Sequence, residues 1–515
     1  MKTKYIVLVF LLLIFSSCED ILKENPKSFI APSQYFNTES EVEAAIYGVY
    51  DYLNSTQIAE YEWIFMGDLG TDCAITRNVA YYSYQYSDME TIPGSYLDIW
   101  RLYYTAIGAA NSIIARVGDS ETLSPEFKKR ILAEAKFLRG TFYLHLNSIW
   151  GNVPVWLKEL DLDEVEKVGT SPAEDVRKQV ILDLSEAAKD LPTSVSQAGR
   201  VTSWVAKGLL ARVYLFDNQW QKAKEMAKDV IDNSGHSLLD SYYDVFDWQN
   251  KMNSELIHVV PKTADIEPSS LHSFSSPRPF DDNNNFAFPA GGSAIRPDGK
   301  LSTDKSSRNP GSLFQGWGMF QCTRENYESY LPGDLRREIW WHELKFTDGS
   351  TFTFTGGGSA GLPGKSGYYN LKWIAWDEAP NNGGRDTHLQ RLAELYLIYA
   401  EAENELNGPT ADAYEAINTI RRRAFGDNEH DLSGLSKEEF RQAIIDENRW
   451  ELAGEGLRRW YLWHWGFEAY QKAALFVIDS NPQLSENLSA HHKYFRIPDE
   501  EIVKNPNLIQ NPGYK

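Results

Sequence analysis

Residues 203–233 decide the fold, and they read SWVAKGLLARVYLFDNQWQKAKEMAKDVIDN. The segment from Ser203 to Phe216 has the apolar spacing of one helix, and the segment from Gln219 to Asn233 has that of another. Asp217-Asn218 between them is typical of a tight turn. The pattern therefore predicts two antiparallel helices that pack closely, because small side chains stand where they would cross. These small residues are Ala206, Ala211 and Ala223.

A second hairpin of the same design is predicted near the C-terminus. Apolar residues from Leu392 to Leu406 follow a helical period, Gly408-Pro409 interrupts it, and residues 411–424 return as another helix. Such pairs resemble tetratricopeptide-type hairpins, which build protein-binding surfaces. The predicted fold class is mainly α, with a scaffold of helical hairpins at about 98–233 and 387–471. The small residues at this second crossing are Ala393, Ala400 and Ala413.

Residues 235–385 differ from the helical stretches on either side. They are rich in glycine and proline, and helical periodicity disappears. Short strands are predicted at Leu256 to Val260, Thr351 to Thr355 and Tyr368 to Trp376. We expect a loop-rich segment with a few short strands, packed over the helices, because a long irregular segment in a rigid frame is usually functional. Its predicted loops carry Trp317, Trp340, Trp341, Trp373 and Trp376.

The N-terminus has the pattern of an export signal followed by a lipidation site. A short basic start precedes an apolar run from Tyr5 to Phe15, which is too short for a permanent span of about 20 residues. Two serines and Cys18 follow, as in a bacterial lipobox whose cysteine is lipidated. Two or more acyl chains would tether the exported protein to a membrane without crossing it. The alternative is an ordinary signal peptide with an incidental cysteine.

Charge and cysteine content restrict the class of protein further. The net charge of −21 argues against nucleic acid and against electrostatic docking on anionic lipid. After Cys18 only Cys73 and Cys322 remain, which excludes a disulfide-rich scaffold. One Cys73–Cys322 bridge and two buried free thiols both stay open. Beyond the leader, no apolar stretch is long enough to predict a transmembrane helix.

The strongest local pattern is IDENRWELAGEGLRRW at 445–460, followed by WHWG at 463–466. Ser436 to Glu439 predicts a capping box for the helix that leads into it, and a glycine at 454 or 456 would end that helix. Glu447 or Glu451 could act as a general acid, but no second carboxylate is visibly positioned for chemistry. The pattern favours a charged network that locks two helices. We also expect Glu455 to pair with Arg458 and Arg459 on one turn.

Several sequence blocks follow one another in a fixed order and together cover essentially the whole mature chain. They are the lipobox at Cys18, EAKFLRGTFY at 134–143 leading to WGNVP at 150–154, RLAELYLIYAE at 391–401, AINTIRRRA at 416–424, the 447–466 block, and the tail from Ile497 to Tyr514. With these blocks the chain resembles the SusD-like (RagB/SusD family) surface lipoproteins. One departure is Asn448, which stands in a triplet where the family often has Glu-Arg-Arg.

The resemblance implies an outer-membrane lipoprotein, anchored through Cys18, that faces outward. It would form a lid over a SusC-type TonB-dependent transporter, capture oligosaccharide or less often peptide, and release it into the barrel. It implies no catalytic residue, no metal and no cofactor. On this basis residues 1–17 are the signal peptide, 18–38 a tether and N-terminal arm, and 39–515 a single body in which 235–385 is the ligand-binding insertion.

The residues themselves point to the same kind of site. Sugars have apolar C–H faces that stack on aromatic rings and hydroxyls that need polar partners. Residues 68–86 and the middle stretch carry both chemistries. A surface glycoside hydrolase is an alternative and would need two facing carboxylates about 5 to 9.5 Å apart; a scaffold that binds protein segments is another. The residues predicted to bind ligand are Asp72, Arg77, Tyr81, Tyr82, Trp317 and Trp340.

Three further patterns do not support a site. SAGLPGKS at 359–366 lacks the first glycine of a phosphate-binding loop and is not followed by a helical pattern. Residues 281–285 offer oxygen ligands for Ca²⁺ but lack EF-hand spacing. His491-His492 has no partner ligands at the spacing of a metal site.

Overall fold

The computed structural model describes most of the chain that follows the predicted tether. The predicted signal peptide and Cys18 lie outside the described residues, as do residues 281–285 and Trp376. The described residues are 36–55, 63–88, 90, 95–276, 294–295, 301–302, 316–354, 366–375 and 383–514.

The architecture is mainly helical, as predicted. Short 3₁₀ turns lie at Val79–Tyr81, Leu335–Ile339, Leu371–Trp373 and Ala490–Lys493. The helices in the described residues are α1 (Glu39–Asn54), α2 (Trp63–Asp68), α3 (Tyr82–Gln85), α4 (Ser95–Asp119), α5 (Pro125–Trp150), α6 (Leu162–Val165), α7 (Ala173–Asp190), α8 (Ser203–Phe216), α9 (Trp220–Asn233), α10 (Tyr242–Val245), α11 (Leu271–Ser275), α12 (Arg324–Ser329), α13 (Leu392–Asn407), α14 (Ala411–Phe425), α15 (Lys437–Leu452), α16 (Arg458–Trp465), α17 (Phe467–Phe476), α18 (Pro482–Asn487) and α19 (Asp499–Lys504).

Short antiparallel strands form three small sheets in the described part of the chain. The strands are β1 (Ala74–Ile75), β2 (Leu256–Val260), β3 (Ala294–Ile295), β4 (Leu301–Ser302), β5 (Gln321–Cys322), β6 (Trp340–Trp341), β7 (Glu343–Phe346), β8 (Thr351–Thr353), β9 (Tyr369–Asn370) and β10 (Thr387–Arg391). Their order is β1-β5-β9-β6 in one sheet, β10-β2 in the second and β4-β3-β7-β8 in the third.

Both predicted helical hairpins are confirmed. Helices α8 and α9 match the predicted bounds within one residue, and α13 and α14 match the second pair. In each hairpin Ala at the crossing leaves space for the partner helix. All six alanines singled out by the sequence are fully buried: Ala206, Ala211, Ala223, Ala393, Ala400 and Ala413.

The two hairpins pack against each other. Helices α4, α5, α7, α8 and α9 each contact the next, and α9 also packs on α13, which contacts α14 and α15. Ion pairs cross this junction, since Arg212 Nε lies 2.6 Å from Glu394 Oε1 and Lys224 Nζ lies 3.0 Å from Glu403 Oε2. The helical body is therefore a continuous array of hairpins, and the segments far apart in sequence share one core.

A buried ionic network lies where α15 meets the middle stretch. The Glu451 carboxylate is fully buried and pairs with Arg391 at 2.6 Å, with Arg336 at 3.0 Å and with Arg423. Burial alone would raise the pKa of Glu451, but these three guanidinium groups hold it well below its usual value. Glu451 is therefore ionised and joins four elements, which confirms the predicted structural role of this residue.

Other carboxylates complete this network. Glu447 accepts from Arg336 at 2.5 Å and from Arg421 at 2.8 Å, so it too is structural. Glu255, which precedes β2, pairs with Arg391 and Arg423 at 2.9 Å each. The predicted capping box at the start of α15 is confirmed: the Glu439 amide donates to the Ser436 hydroxyl, and the Ser436 amide donates to the Glu439 carboxylate.

The predicted pairing of Glu455 with Arg458 and Arg459 is wrong. Gly454 and Gly456 both adopt positive φ, at 85° and 77°, and they turn the chain sharply between α15 and α16. Glu455 therefore points to the other side of this turn, where it contacts Lys372 at 2.7 Å and Arg391 at 2.8 Å.

The middle stretch departs from the sequence prediction at its tryptophans. The strand at 256–260 is confirmed, and residues 351–353 form β8. Of the predicted loop residues, however, Trp340 and Trp341 form β6 and are buried, and Trp373 is buried in a 3₁₀ turn. The Trp340 and Trp373 rings pack against the turn at Gly454, where Trp373 Nε1 donates to the Gly454 carbonyl at 2.6 Å. The Trp341 ring packs on Phe354 within the middle stretch, so all three have a packing role.

The two cysteines are buried free thiols, one within a strand and one just before the strand that pairs with it. Cys322 lies in β5 opposite Ala74 of β1, and Cys73 precedes that strand. Burial raises the pKa of both thiols well above the usual value, so both stay protonated.

No helix among the described residues combines the length and the apolar character needed to cross a bilayer.

Removing the charge of Glu451 tests the importance of the network. We expect Glu451→Gln to lower the free energy of unfolding by about 3 to 5 kcal/mol, because three buried guanidinium groups lose a partner. The matched control is Glu174→Gln in α7, whose solvent-exposed pair with Lys178 is screened by water and should contribute little to stability. Urea unfolding at neutral pH measures both, and equal effects would contradict a special role for Glu451.

Buried histidines should make the protein sensitive to acid. Burial and the charge of Arg212 lower the pKa of His258 to about 3, and burial lowers the pKa of His272 to about 4. In the unfolded chain the pKa of histidine is about 6.5. The stability they contribute is therefore complete above about pH 6.5 and is lost as the pH falls towards the folded-state pKa, because only the unfolded chain takes up the proton.

The variant His258→Gln removes one of the histidines that take up a proton on unfolding. Between about pH 5.5 and pH 4, its unfolding free energy should depend on pH less steeply than that of the natural protein, by about 1.4 kcal/mol per pH unit. Val259→Ala on the same strand is the control, since it removes buried apolar surface without changing proton uptake. Denaturant titrations across this range give the slopes, and parallel slopes for His258→Gln and the natural protein would refute the assignment.

Candidate functional site

The first part of the candidate site is a contact between the end of α2 and the turn formed by Gly454 and Gly456 before α16. The Asp68 carboxylate accepts hydrogen bonds from the backbone amides of Gly456 at 2.9 Å and Arg458 at 3.1 Å. The backbones approach so closely that a Cβ on Gly67 would collide with the carbonyl of Gly456. This contact fixes the start of the 68–86 segment on the helical body.

Asp72 supplies a second, ionic anchor in the same segment. Both of its oxygens accept from the Arg458 guanidinium at 2.7 Å, and Arg449 lies 3.5 Å away. Burial opposes ionisation of Asp72, but Arg458 and Arg449 outweigh it and hold the pKa below its usual value. Asp72 is therefore a buried, charged structural residue.

Asp68 has the opposite electrostatic balance. Burial raises its pKa to about 6, and the two backbone donors offset this only in part. The pKa values of these two carboxylates therefore shift in opposite directions, because Asp72 faces guanidinium groups whereas Asp68 faces backbone amides. Neither is exposed, since both are almost completely buried.

Beyond these anchors the segment pairs with the middle stretch. Strand β1 lies antiparallel to β5, with Ala74 opposite Cys322. The residues that follow β1 then meet the residues that precede β5. Arg77 Nε donates to the carbonyl of Trp317 at 2.8 Å, and the Asn78 amide contacts the Met319 sulfur at 3.1 Å. The pairing therefore brings together two segments that are distant in sequence.

Four aromatic rings form a row across this junction, which we call the aromatic face (Phe65, Tyr81, Phe274 and Trp317). Tyr81 stacks on Phe65 with a centroid distance of 4.7 Å and an interplanar angle of 14°. Phe65 contacts Phe274 at 5.2 Å, and Phe274 contacts Trp317 at 5.4 Å. Phe65 and Phe274 are buried, whereas Tyr81 is partly exposed and Trp317 is 36% exposed.

Trp317 is held by its backbone while its side chain stays accessible. Its amide donates to Ser273 at 2.5 Å and its carbonyl accepts from Arg77. The preceding residue is Gly316, where a Cβ would collide with the carbonyl of Ser276. A large exposed indole on a fixed backbone is suited to stacking on a flat apolar surface of a ligand.

Tyrosine hydroxyls add polar character beside the aromatic face. The Tyr82 and Tyr86 rings lie 5.1 Å apart. Burial raises the pKa of Tyr82 above its usual value, and burial together with the Tyr82 hydroxyl raises the pKa of Tyr86 to about 12. Both phenols therefore remain protonated and can donate hydrogen bonds.

The structure brings together four of the six predicted ligand residues, Arg77, Tyr81, Tyr82 and Trp317. Asp72 lies behind them as an anchor. Trp340 lies elsewhere in β6, 2% exposed, with its Nε1 donating to the Tyr330 hydroxyl at 3.0 Å. Asp72 and Trp340 are therefore left out of the site that we propose below.

Sequence reasoning missed the two rings that support this arrangement. Phe65 and Phe274 connect Tyr81 to Trp317 although they lie in α2 and α11. Both read as ordinary core residues, because a buried phenylalanine has the same local signal whether or not it supports a site. Only the pairing of β1 with β5 reveals their role.

Comparison with known proteins identifies the family. SusD-like protein P25 of Formosa agariphila is 31% identical to this chain over 545 aligned positions, which cover 99% of each protein. The chain belongs to the SusD-like family. Two family profiles agree: one described as "SusD family" matches residues 302–514, and one described as "Starch-binding associating with outer membrane" matches residues 20–215.

Solved structures of SusD-like proteins share the fold. A SusD homolog from Bacteroides thetaiotaomicron superimposes with a TM-score of 0.77 at 22% identity, covering 94% of this chain and 98% of that one. A laminarin-binding SusD-like protein superimposes with a TM-score of 0.72 at 26% identity, covering 92% and 99%. The predicted resemblance and the mainly α, hairpin-based fold are confirmed.

Proposed function

We propose that this SusD-like protein binds oligosaccharides at the aromatic face and does not cleave them. The observation that carries the proposal is Trp317, an exposed indole whose backbone is held by Arg77 and Ser273. Its neighbours Tyr81 and Tyr82 offer a second ring surface and a phenol hydroxyl.

The chemistry of this face suits a sugar better than a charged or purely apolar ligand. A pyranose ring presents C–H groups on its faces, which pack on aromatic rings, and hydroxyls at its edge, which need donors and acceptors. Trp317 and Tyr81 supply the rings. Arg77 and Asn78 supply polar groups at the same junction, where their side chains already contact the Trp317 and Met319 segment.

The names of related proteins support this ligand class. One matching family profile is described as starch-binding, and one structure of the same fold is described as laminarin-binding. Both of these named ligands are glucose polymers. Peptide is the alternative ligand within the same family.

The carboxylates of the site segment support a binding rather than a hydrolytic role. A glycosidase needs a carboxylic acid and a second carboxylate that face each other across the sugar. Asp68 is engaged by two backbone amides, and Asp72 is engaged by Arg458 and Arg449. Because both are buried beneath the segment, neither is available to a bound sugar.

We further propose an outer-membrane lipoprotein, lipidated at Cys18 and facing outward, that passes its ligand to a SusC-type TonB-dependent transporter. The description of the matching profile, which places its members in association with the outer membrane, supports the location. In this arrangement residues 1–17 are removed, 18–38 tether the protein, and 39–515 form the binding body. Residues 235–385 form the layer that carries Trp317.

Replacing Trp317 tests the binding face. We expect Trp317→Ala to weaken binding of maltohexaose or laminarihexaose, whichever the natural protein binds, by about tenfold or more, because the largest stacking surface is lost. Isothermal titration calorimetry measures the affinity. The control is Trp204→Ala in α8, which removes a partly exposed tryptophan that is not part of the face and packs against Lys207.

The outcomes separate the proposal from its alternatives. Unchanged affinity in Trp317→Ala would place the sugar elsewhere on the protein. Binding of a peptide such as hexaalanine, with no response to either saccharide, would favour the peptide-binding alternative. Release of shorter saccharides during the titration would indicate hydrolysis.

Co-purification tests the transporter partner. The tagged full-length chain, extracted from native outer membranes in mild detergent, should retain a TonB-dependent barrel protein in near-stoichiometric amount. Cys18→Ser should release the chain from the membrane fraction and reduce this recovery, because the acyl anchor is lost. Recovery of the natural chain without any barrel protein would argue against the partner.

A further inference from the structure

A polar cavity lies in the helical body, beside the Asp72–Arg458 anchor, and none of the rings of the aromatic face lines it. Its volume is about 640 Å³, and it opens between α9, α13, α15, α16 and α17. Small-molecule sites in proteins usually span about 300 to 1,000 Å³, so this cavity has the size of a ligand site. Arg77, Tyr81, Tyr82 and Trp317 do not line it.

Aromatic side chains form much of the cavity wall. Trp220 at the start of α9 meets the His464 ring at 5.6 Å in an edge-to-face contact. Trp465 follows His464 in α16, and Phe476 at the end of α17 is 36% exposed. The cavity therefore offers several ring surfaces, contributed by helices from both hairpin stretches.

A fixed carboxylate lies among these rings. Glu401 of α13 accepts at one oxygen, Oε1, from His464 Nε2 at 2.9 Å and from Trp465 Nε1 at 2.8 Å. Its second oxygen, Oε2, has no hydrogen-bond partner among the described residues. Glu401 is thus oriented by two aromatic donors and retains an acceptor for a ligand hydroxyl.

The other charges of the cavity are largely compensated. Arg441 pairs with Glu405 at 2.7 Å, and Arg449 contacts Asp446 at 3.2 Å. Each basic side chain that lines the cavity is paired with a carboxylate, through Arg441–Glu405, Arg449–Asp446, Arg458–Asp72 and Lys472–Glu468, so no free positive charge is left to attract an anion. A neutral ligand with many hydroxyl groups fits these donors and acceptors best.

Two side-chain amides also line the cavity. Asn218, in the turn between α8 and α9, is exposed and adopts a φ of 55°, and its side-chain amide makes no hydrogen bond to the described residues. Gln442 of α15 is the second amide, and its nitrogen donates to Asp446 at 3.3 Å. Such amides can bond the hydroxyls of a sugar that stacks on the rings of the cavity.

We propose that this cavity is a second saccharide-binding site, separate from the aromatic face. A short neutral saccharide would stack on Trp220 and Trp465 and donate a hydroxyl to Glu401 Oε2. The site lies in the helical scaffold, whereas the aromatic face lies where β1 meets β5. The inference stands on this cavity's own residues, so it can fail while the proposed function holds.

The His464 imidazole is a local reporter of occupancy, because it contacts both Trp220 and Glu401. The experiment uses the mature protein labelled with ¹⁵N-histidine, with the His464 ring signals assigned by comparison with His464→Gln. Maltotriose, laminaritriose and cellotriose are added to millimolar concentration. We expect at least one trisaccharide to shift the His464 signals saturably, and to do so equally in the Trp317→Ala background.

Variants of the cavity sharpen the test. Trp220→Ala should weaken the saccharide response at His464 by about tenfold through lost stacking. Asn218→Gly should weaken it by about threefold, because glycine keeps the positive φ of the turn while the amide is lost. Trp204→Ala in the neighbouring helix is the control and should leave the response unchanged.

Three results would overturn the inference. The His464 signals could stay fixed with every trisaccharide while calorimetry still shows binding at the aromatic face, in which case the proposed function stands and the second site is wrong. The response could vanish in Trp317→Ala, which would make it an indirect effect of the first site. It could instead arise only with the peptide trialanine, which would assign the cavity to another ligand class.

Discussion

The ion pairs around Glu451 are the interaction on which the rest of the structure depends. One buried carboxylate joins guanidinium groups from the end of β10, from α14 and from the 3₁₀ turn at 335–339. Such a network is not a large net source of stability, because each charge also loses its hydration. The network instead makes the fold all-or-none at this point, because a missing partner leaves a buried charge unpaired. The network therefore couples the folding of the helical scaffold to that of the irregular middle stretch.

The same physical rule positions the aromatic face. Arg458 follows the glycine turn that ends the ionic network, and it holds Asp72 through two hydrogen bonds of 2.7 Å. Its neighbour Arg459 donates to the carbonyls of Met66 and Leu69. Two consecutive arginines thus fix the segment that carries Tyr81 and Tyr82.

The sequence was informative where the determining interactions are local. The hairpins were predictable because helical period, small crossing residues and the Ser436 capping box all act within a few residues. The ion-pair partners of Glu455 were not predictable, because the glycines on either side of it adopt positive φ and turn the chain sharply. Trp340 was misplaced because an indole in a glycine-rich stretch gives the same signal whether it is exposed or buried. The row of rings from Tyr81 to Trp317 depends on strand pairing across most of the chain, which no local pattern encodes.

The anchor of the aromatic face also has a kinetic consequence. Asp72 and Arg458 are 386 residues apart in sequence, and β1 can form its hydrogen bonds only after the residues of β5 have been brought beside it. Contacts of such long range form slowly, because the loop between them must close first. The hairpins can condense as they emerge, but the face cannot be completed until almost the entire polypeptide is available. A molecule truncated shortly before Arg458 would therefore retain many of its helices and yet lack an assembled face.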